Sequence, residues 1–141
     1  MKKGIRNFVL ICLVLLSCHS CKDKGNYNVP YVPVNITINV NQPDFFNLTV
    51  PTGWVYITGG SRGIIVYRKS DTEFVAIERH STYLPEDQCA VTVLSDGVLL
   101  DDPCSDSQWL IMDGTLVNGP ASTPLVTYDT MYNAPYLTIV N

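Results

Sequence analysis

Cysteine and histidine are the residue types of this 141-residue chain with the richest covalent and metal chemistry, and both are scarce. There are five cysteines and two histidines, and His80 is the only histidine after residue 33. A serine hydrolase would therefore need His80 as its general base. A surface loop is the more ordinary place for a single histidine. We expect His80 to be an exposed or hydrogen-bonded loop residue, and we expect no catalytic residues.

Two segments contain residues that bind phosphate or calcium in other proteins. Gly59-Gly60-Ser61-Arg62-Gly63 lacks the Gly-Lys-Ser/Thr ending of a phosphate-binding loop, and no helical pattern follows it. We predict a hairpin turn there. Asp101, Asp102 and Asp106 lack the spacing and the final glutamate of an EF-hand. We predict that these three aspartates lie in a solvated turn.

The first 17 residues have the pattern of an export signal. Three Lys/Arg residues within the first six positions precede nine apolar residues, 8–16, which are too few to span a bilayer as an ordinary helix. Leu15-Leu16-Ser17-Cys18 resembles the bacterial lipobox, which implies a lipid on Cys18 after cleavage. A plain secretory signal is the alternative. Cys21, which lacks the usual preceding leucine, is the competing lipid acceptor.

Residues 18–33 are predicted to form a flexible tether, because they are polar, contain glycine and proline, and show no apolar periodicity. Lys22-Asp23-Lys24 is similar to the lysine-plus-acid signals of surface lipoproteins in Bacteroidetes. We expect a lipid anchor in the bacterial outer membrane or at the cell surface. Without residues 1–17 the chain has six basic and thirteen acidic residues, a charge of −7, which argues against nucleic acid as a partner.

Residues 34–141 have the pattern of one all-β domain. Apolar residues alternate with polar ones from Val34 to Val40, which predicts a half-buried strand. Short β-rich runs with turn residues between them continue to the end of the chain. The predicted strands are 34–40, 45–50, 54–58, 63–69, 73–78, 90–94, 97–100, 108–112, 124–128 and 135–140. We predict an antiparallel β-sandwich or barrel of two sheets.

Export also predicts a disulfide, because exported cysteines are in an oxidising compartment. Cys12 leaves with the signal, Cys18 carries the lipid, and Cys21 lies in the tether. Cys89 and Cys104 remain in the domain and form the natural pair.

A set of motifs in residues 59–128 resembles a known family. The motifs are Pro103-Cys104-Ser105-Asp106-Ser107-Gln108-Trp109, then Asp113-Gly114, then Gly119-Pro120-Ala121, Pro124-Leu125 and Tyr128. They resemble the Rieske iron–sulfur domain, and in particular its short form in Bacteroidetes lipoproteins. Rieske domains have Cys-Pro-Cys-His-Gly-Ser-x-Phe, an Asx-Gly turn, and a Gly-Pro-Ala loop lying over the cluster. The resemblance implies that Gly119 and Pro120 cover the corresponding site, and that residues 74–79 form the strand leading to the first ligand motif.

The resemblance also implies that the cluster has been lost. The four ligand positions align with Ser81, Tyr83, Asp102 and Ser105, whereas a Rieske cluster needs two thiolates and two imidazoles. Cys89 and Cys104 match the two cysteines whose disulfide braces the cluster loops. We therefore expect the brace without the [2Fe–2S] cluster, and no metal or other cofactor.

Two functions of different classes follow from these observations. The first is a membrane-anchored, cluster-free domain that binds a protein or small-molecule partner or is a structural module. The alternative is a Rieske-type electron-transfer protein, which only the family analogy favours. A weaker third interpretation places a ligand pocket between the loops, lined by Tyr83, Asp102, Ser105, Asp106 and Trp109.

One modification site is also predicted. Asp129-Thr130-Met131 is similar to the Asp-Ser/Thr-apolar O-glycosylation site of exported Bacteroidetes proteins, which predicts a sugar on Thr130.

Overall fold

A computed structural model describes residues 29–141 of the chain. The predicted signal peptide, the lipid on Cys18 and most of the tether lie outside these residues. Val34 is buried, and the first strand begins at Asn35. No helix within residues 29–141 has the length and apolarity needed to cross a membrane.

The described residues form ten antiparallel strands in two sheets, which confirms the predicted all-β class. The strands are β1 Asn35–Asn39, β2 Trp54–Ile57, β3 Ile64–Arg68, β4 Phe74–Glu78, β5 Thr92–Val93, β6 Leu99–Asp101, β7 Gln108–Leu110, β8 Leu116–Asn118, β9 Thr127–Asn133 and β10 Tyr136–Val140. The larger sheet has the order β1-β10-β9-β4-β3-β2, and the smaller has the order β5-β6-β7-β8.

Strand β9 links the two halves of the curled larger sheet. Its first residues, Thr127 and Tyr128, pair with β4, whereas the residues from Asp129 onward pair with β10. One strand thus changes partner along its length, and the sheet becomes an antiparallel half-barrel.

Strands β3 and β4 are buried on both faces, because a hydrophobic core lies on each side of them. Ile64 and Val66 face the core inside the half-barrel. Ile65 and Tyr67 face a second core beneath the smaller sheet, which includes Trp109. Successive side chains of a strand point to opposite faces. The unbroken apolar run of β3 is therefore what a strand between two cores requires.

One predicted strand, 45–50, is wrong. The chain there forms a 3-10 helix, Pro43–Thr49, with Pro43 in its first turn, where a missing N–H costs nothing. Phe45 and Leu48, three residues apart, contact the core, while Phe46 is 70% exposed. The apolar spacing is therefore three, not two, as a 3-10 helix requires.

Two other elements differ from the prediction. Strand β8 was not predicted, and the predicted strand 124–128 is instead β9, which begins at Thr127 and ends at Asn133. The inward side chains of β9 are Tyr128, Thr130 and Tyr132. None of these side chains is aliphatic. The sequence of β9 therefore lacks the clear alternation of apolar and polar residues that would predict a half-buried strand.

Two loops carry the predicted site residues, and a disulfide joins them. Residues 79–91 connect β4 to β5, and residues 102–107 connect β6 to β7. The predicted bond between Cys89 and Cys104 is present, with their Cα atoms 6.4 Å apart. The antiparallel pairing of β5 with β6 places the two loops at the same end of the smaller sheet, where the disulfide links them.

Candidate functional site

The β4–β5 loop begins and ends as an extension of the β-ladder. The Val91 N–H donates to the Arg79 carbonyl (2.7 Å), and the Ser81 N–H donates to the Cys89 carbonyl (2.9 Å). These bonds fix Ser81 with no exposed surface, directed at the second loop.

The β6–β7 loop folds back on the backbone of Asp102. The Asp102 N–H donates to the Ser107 carbonyl (2.9 Å), and the N–H groups of Ser105 and Asp106 donate to the Asp102 carbonyl (both 3.2 Å). Asp106 has a left-handed backbone with φ of 58°, which aspartate and asparagine tolerate better than most residues do. The tight turn holds the Asp102 side chain inside the domain.

The buried residues Ser81, Asp102 and Ser107 and the half-buried Ser105 form a hydrogen-bonded group, here called the Asp102 cluster. Asp102 Oδ2 accepts hydrogen bonds from Ser81 Oγ (2.7 Å) and Ser105 Oγ (2.6 Å), and Oδ1 accepts one from the Cys104 N–H (3.0 Å). The Ser105 and Ser107 hydroxyl oxygens are 2.9 Å apart. A buried carboxylate is tolerated when it is satisfied in this way.

The prediction of a solvated turn is wrong for Asp102, which has no exposed surface. Asp106 is exposed as predicted, and Asp101 is half-buried, with its Oδ1 accepting a bond from the Gln108 amide. Asp102 differs from its two neighbours because the other loop covers it and supplies the Ser81 donor.

Three of the four aligned ligand positions meet in the Asp102 cluster. Tyr83 is the exception: its N–H donates to Ser81 Oγ (3.1 Å), but its half-buried ring packs against the second core. Ser107 is a member that sequence reasoning missed. Its hydroxyl accepts a bond from the Ala121 N–H (3.1 Å), and so it connects the cluster to residues 119–121.

Gly119 and Pro120 were expected to lie over this site. Gly119 lies directly against the β6–β7 loop, with φ of 99°, and a Cβ atom there would be 2.5 Å from the Ser107 Cα. No larger residue fits so close to the backbone. Pro120 is exposed on the outer side of the same segment.

The residues of the site do not fit a Rieske cluster. Such a cluster needs two thiolates and two imidazoles. Cys89 and Cys104 lie close to the Asp102 carboxylate, but their sulfur atoms are bonded to each other. His80, the only histidine in residues 29–141, is bonded through both ring nitrogens to other groups. The side chains present offer hydroxyls and one carboxylate that already has three donors.

Two of the five residues predicted to line a pocket between the loops are fully covered by the protein. Asp102 and Trp109 both have no exposed surface. The Trp109 Nε1–H donates to the Thr123 carbonyl (3.0 Å), so its one polar atom is also satisfied.

A second polar group lies at the end of β4 and consists of the buried residues Glu78, His80 and Tyr128 and the half-buried Ser61; we call it the Glu78 cluster. Glu78 Oε1 accepts bonds from the N–H groups of His80 (2.8 Å) and Arg62 (3.0 Å). Oε2 accepts bonds from the Ser61 N–H (2.7 Å) and the Tyr128 hydroxyl (2.6 Å). Burial raises the pKa of Tyr128 well above its usual value, and the bonded Glu78 carboxylate raises this pKa further.

The His80 ring has a defined role in the Glu78 cluster. Its Nε2 lies 2.7 Å from the Pro85 carbonyl, which can only accept, so Nε2 carries the hydrogen. In the neutral ring Nδ1 then accepts the hydrogen bond from Ser61 Oγ (2.8 Å). His80 is hydrogen-bonded as predicted, and it is buried rather than exposed.

A serine bonded to a histidine raises the question of nucleophilic catalysis. Residues 59–63 even have the Gly-x-Ser-x-Gly spacing, a signal that could have directed attention to Ser61 beside His80. In α/β-hydrolases, however, that motif joins a strand to a helix, whereas here it joins β2 to β3 in a hairpin, as predicted. The backbone N–H groups of Ser61 and Arg62 both donate to Glu78. They are therefore not available to stabilise an oxyanion.

The sequence contains a signal for the burial of Glu78. Phe74, Ala76 and Glu78 alternate along β4, so period two places Glu78 on the same buried face as the two apolar residues. A carboxylate at an inward strand position predicts a buried set of donors. Ser107 had no comparable signal.

Thr130, the predicted sugar acceptor, lies in the middle of β9. It is half-buried, and its hydroxyl donates to the Phe74 carbonyl (2.9 Å). Its glycosylation stays a prediction.

No family model and no curated protein matches this chain.

Proposed function

We propose that this protein is an exported lipoprotein with a Rieske-like β domain that lacks the iron–sulfur cluster and is a binding or structural module. The observation that carries the proposal is the Asp102 cluster. Ser81, Asp102 and Ser105 align with cluster-ligand positions and meet in space, yet they bind one another through hydrogen bonds of 2.6–2.7 Å. The Cys89–Cys104 disulfide joins the same two loops.

The polar side chains of the Asp102 cluster all have hydrogen-bond partners within the protein, which supports a domain that is stable without metal. The Asp102 carboxylate has three donors within 3.0 Å. Within residues 29–141, no buried side-chain nitrogen or oxygen lacks a hydrogen-bond partner. In a metal site the ligand atoms face the ion. Here the three groups that face the Asp102 carboxylate are hydrogen-bond donors of the protein.

Measurement of iron and acid-labile sulfide tests the loss of the cluster. We expect neither in the full chain purified without oxygen, no visible absorption, and no change in melting temperature after treatment with EDTA. Stoichiometric iron and sulfide would instead support the electron-transfer alternative, and would overturn the proposed function.

The anchor is tested by replacing the lipid acceptor. We expect Cys18→Ala to release the protein from membranes into the soluble fraction, with Cys21→Ala as the matched control that stays bound. The opposite result would identify Cys21 as the acceptor, and release of neither variant would refute the lipid anchor. Protease treatment of whole cells distinguishes the cell surface from the periplasmic face.

A further inference from the structure

Positive charge is scarce and unevenly placed in the described part of the chain. Residues 29–141 contain twelve acidic residues and four basic ones, a net charge of −8. Arg68 is buried, and its guanidinium is hydrogen-bonded to backbone carbonyls, while Lys69 is exposed elsewhere. The other two, Arg62 and Arg79, line the same groove.

This groove, here called the arginine groove, has a volume of about 470 Å³ and is open to solvent. Residues 56–63, from β2 and the β2–β3 loop, form most of it, and Arg79 closes one side. None of its lining residues belongs to the Asp102 cluster or is an aligned ligand position.

The Arg79 side chain is held in place by neutral partners. Its guanidinium lies over the Tyr56 ring, 4.1 Å from the ring centre, and its Nε–H donates to the Val91 carbonyl (3.0 Å). The Tyr56 hydroxyl in turn accepts a bond from the Val93 N–H (2.9 Å). Among the residues that the structure describes, no carboxylate forms an ion pair with this guanidinium.

Arg62 has the same property. Its guanidinium donates to the side-chain carbonyl of Gln88, which is again a neutral acceptor. Glu78 lies beneath the same loop, and each of its carboxylate oxygens already accepts two hydrogen bonds, from backbone N–H groups and the Tyr128 hydroxyl. Its oxygens are therefore engaged on the inner side of the loop.

The backbone of the loop that carries Arg62 is constrained by glycine geometry and by hydrogen bonds. Gly60 and Gly63 have φ of 60° and 95°, and a Cβ on Gly60 would collide with the Glu78 carboxylate. Because the Ser61 and Arg62 N–H groups are also bonded to Glu78, the backbone of Arg62 is held beside the groove. A preorganised site loses less entropy on binding.

We propose that the arginine groove binds an oxyanion, namely a carboxylate, phosphate or sulfate group of a small-molecule ligand. Guanidinium groups match such oxygens with paired N–H donors. Within residues 29–141 neither guanidinium forms an ion pair with a carboxylate, so an anion bound in the groove would have two cations with which to pair. The proposal rests on the binding role proposed above and gives it a ligand class.

The test is to add an oxyanion stepwise to the ¹⁵N-labelled full chain in detergent. NMR spectra recorded at constant ionic strength monitor each addition. Sodium sulfate, sodium phosphate and sodium succinate are the probes, and comparing them identifies which oxyanion binds best. We expect saturable shifts in the amide signals of residues 59–63 and Arg79. Arg62→Gln and Arg79→Gln should each raise the dissociation constant roughly fivefold, in line with the loss of one exposed ion pair.

Lys69→Gln is the matched control, because it removes one exposed positive charge outside the groove, and it should change the dissociation constant by less than about 1.5-fold. Equal weakening in all three variants, or shifts that do not saturate with any probe, would overturn the proposal. If Arg79→Gln fails to fold, Arg62→Gln, an exposed position, decides the test. The outcome is separate from that of the iron measurement, since iron would refute the loss of the cluster without altering the groove.

Discussion

Replacing Asp102 by asparagine tests whether the Asp102 cluster holds the two loops together. The carboxylate accepts three hydrogen bonds, from Ser81 Oγ, Ser105 Oγ and the Cys104 N–H, and it has no exposed surface. Asparagine has almost the same shape, but one carboxylate oxygen becomes an NH₂ group that cannot accept. The change therefore removes acceptors without creating a cavity.

The expected cost follows from the number and kind of bonds. A hydrogen bond to a charged group contributes about 1.5–3 kcal/mol, and the substitution abolishes the charge and at least one such bond. Removal of the charge also relieves part of the cost of burying a carboxylate. We expect the free energy of unfolding to fall by about 2 kcal/mol, and the melting temperature to fall by about 8 °C for a domain of this size.

Asp106→Asn is the matched control, because it makes the same chemical change on the same loop at an exposed position with φ of 58°. Asparagine tolerates that backbone at least as well as aspartate does, so its free energy of unfolding should stay within about 0.5 kcal/mol of the wild type. Urea denaturation of the oxidised proteins, monitored by circular dichroism, measures the free energy of unfolding of both variants. If Asp102→Asn were as stable as Asp106→Asn, the hydrogen bonds of the cluster would not stabilise the fold, and our reasoning would be refuted.

Two further predictions concern the disulfide and Tyr128. Replacing both Cys89 and Cys104 by serine should lower the melting temperature by roughly 8–15 °C, because opening a loop with a sequence separation of 15 costs about 3 kcal/mol; a calorimetric shift below about 3 °C would contradict this. Tyr128 has a raised pKa in the folded state, so above pH 10 the unfolded chain loses this proton first, and the free energy of unfolding should fall by up to about 1.4 kcal/mol per pH unit. Tyr128→Phe should lack this component in urea denaturation between pH 9 and 11.5, and identical pH slopes for the two proteins would show that Tyr128 ionises normally.

The sequence was informative wherever structure depends on neighbouring residues. The alternation from Val34 to Val40 located β1, and the run before Arg68 located β3, because strand periodicity is a local property. The pairing of Cys89 with Cys104 followed from counting cysteines. The local signal was insufficient at 45–50, where the apolar residues suited a strand and the chain formed a 3-10 helix.

Burial of the polar residues was decided by the tertiary structure. Asp101, Asp102 and Asp106 have the same chemistry and nearly the same sequence position, yet only Asp102 is covered by the other loop and bonded to Ser81, 21 residues away. The need for glycine at position 119 likewise comes from its contact with Ser107, which is distant in sequence.

The arginine groove likewise combines features set by the sequence with features set by the tertiary structure. The sequence by itself determines that residues 29–141 are acidic and that Arg62 and Arg79 are 17 residues apart. The register of β3 with β4, in which Ile64 pairs with Glu78, brings the segments just before β3 and just after β4 to the same end of the hairpin. Whether the charge of an arginine is neutralised depends on which residues become its neighbours through such long-range pairing. The tertiary structure alone therefore decided that Arg62 and Arg79 line one groove.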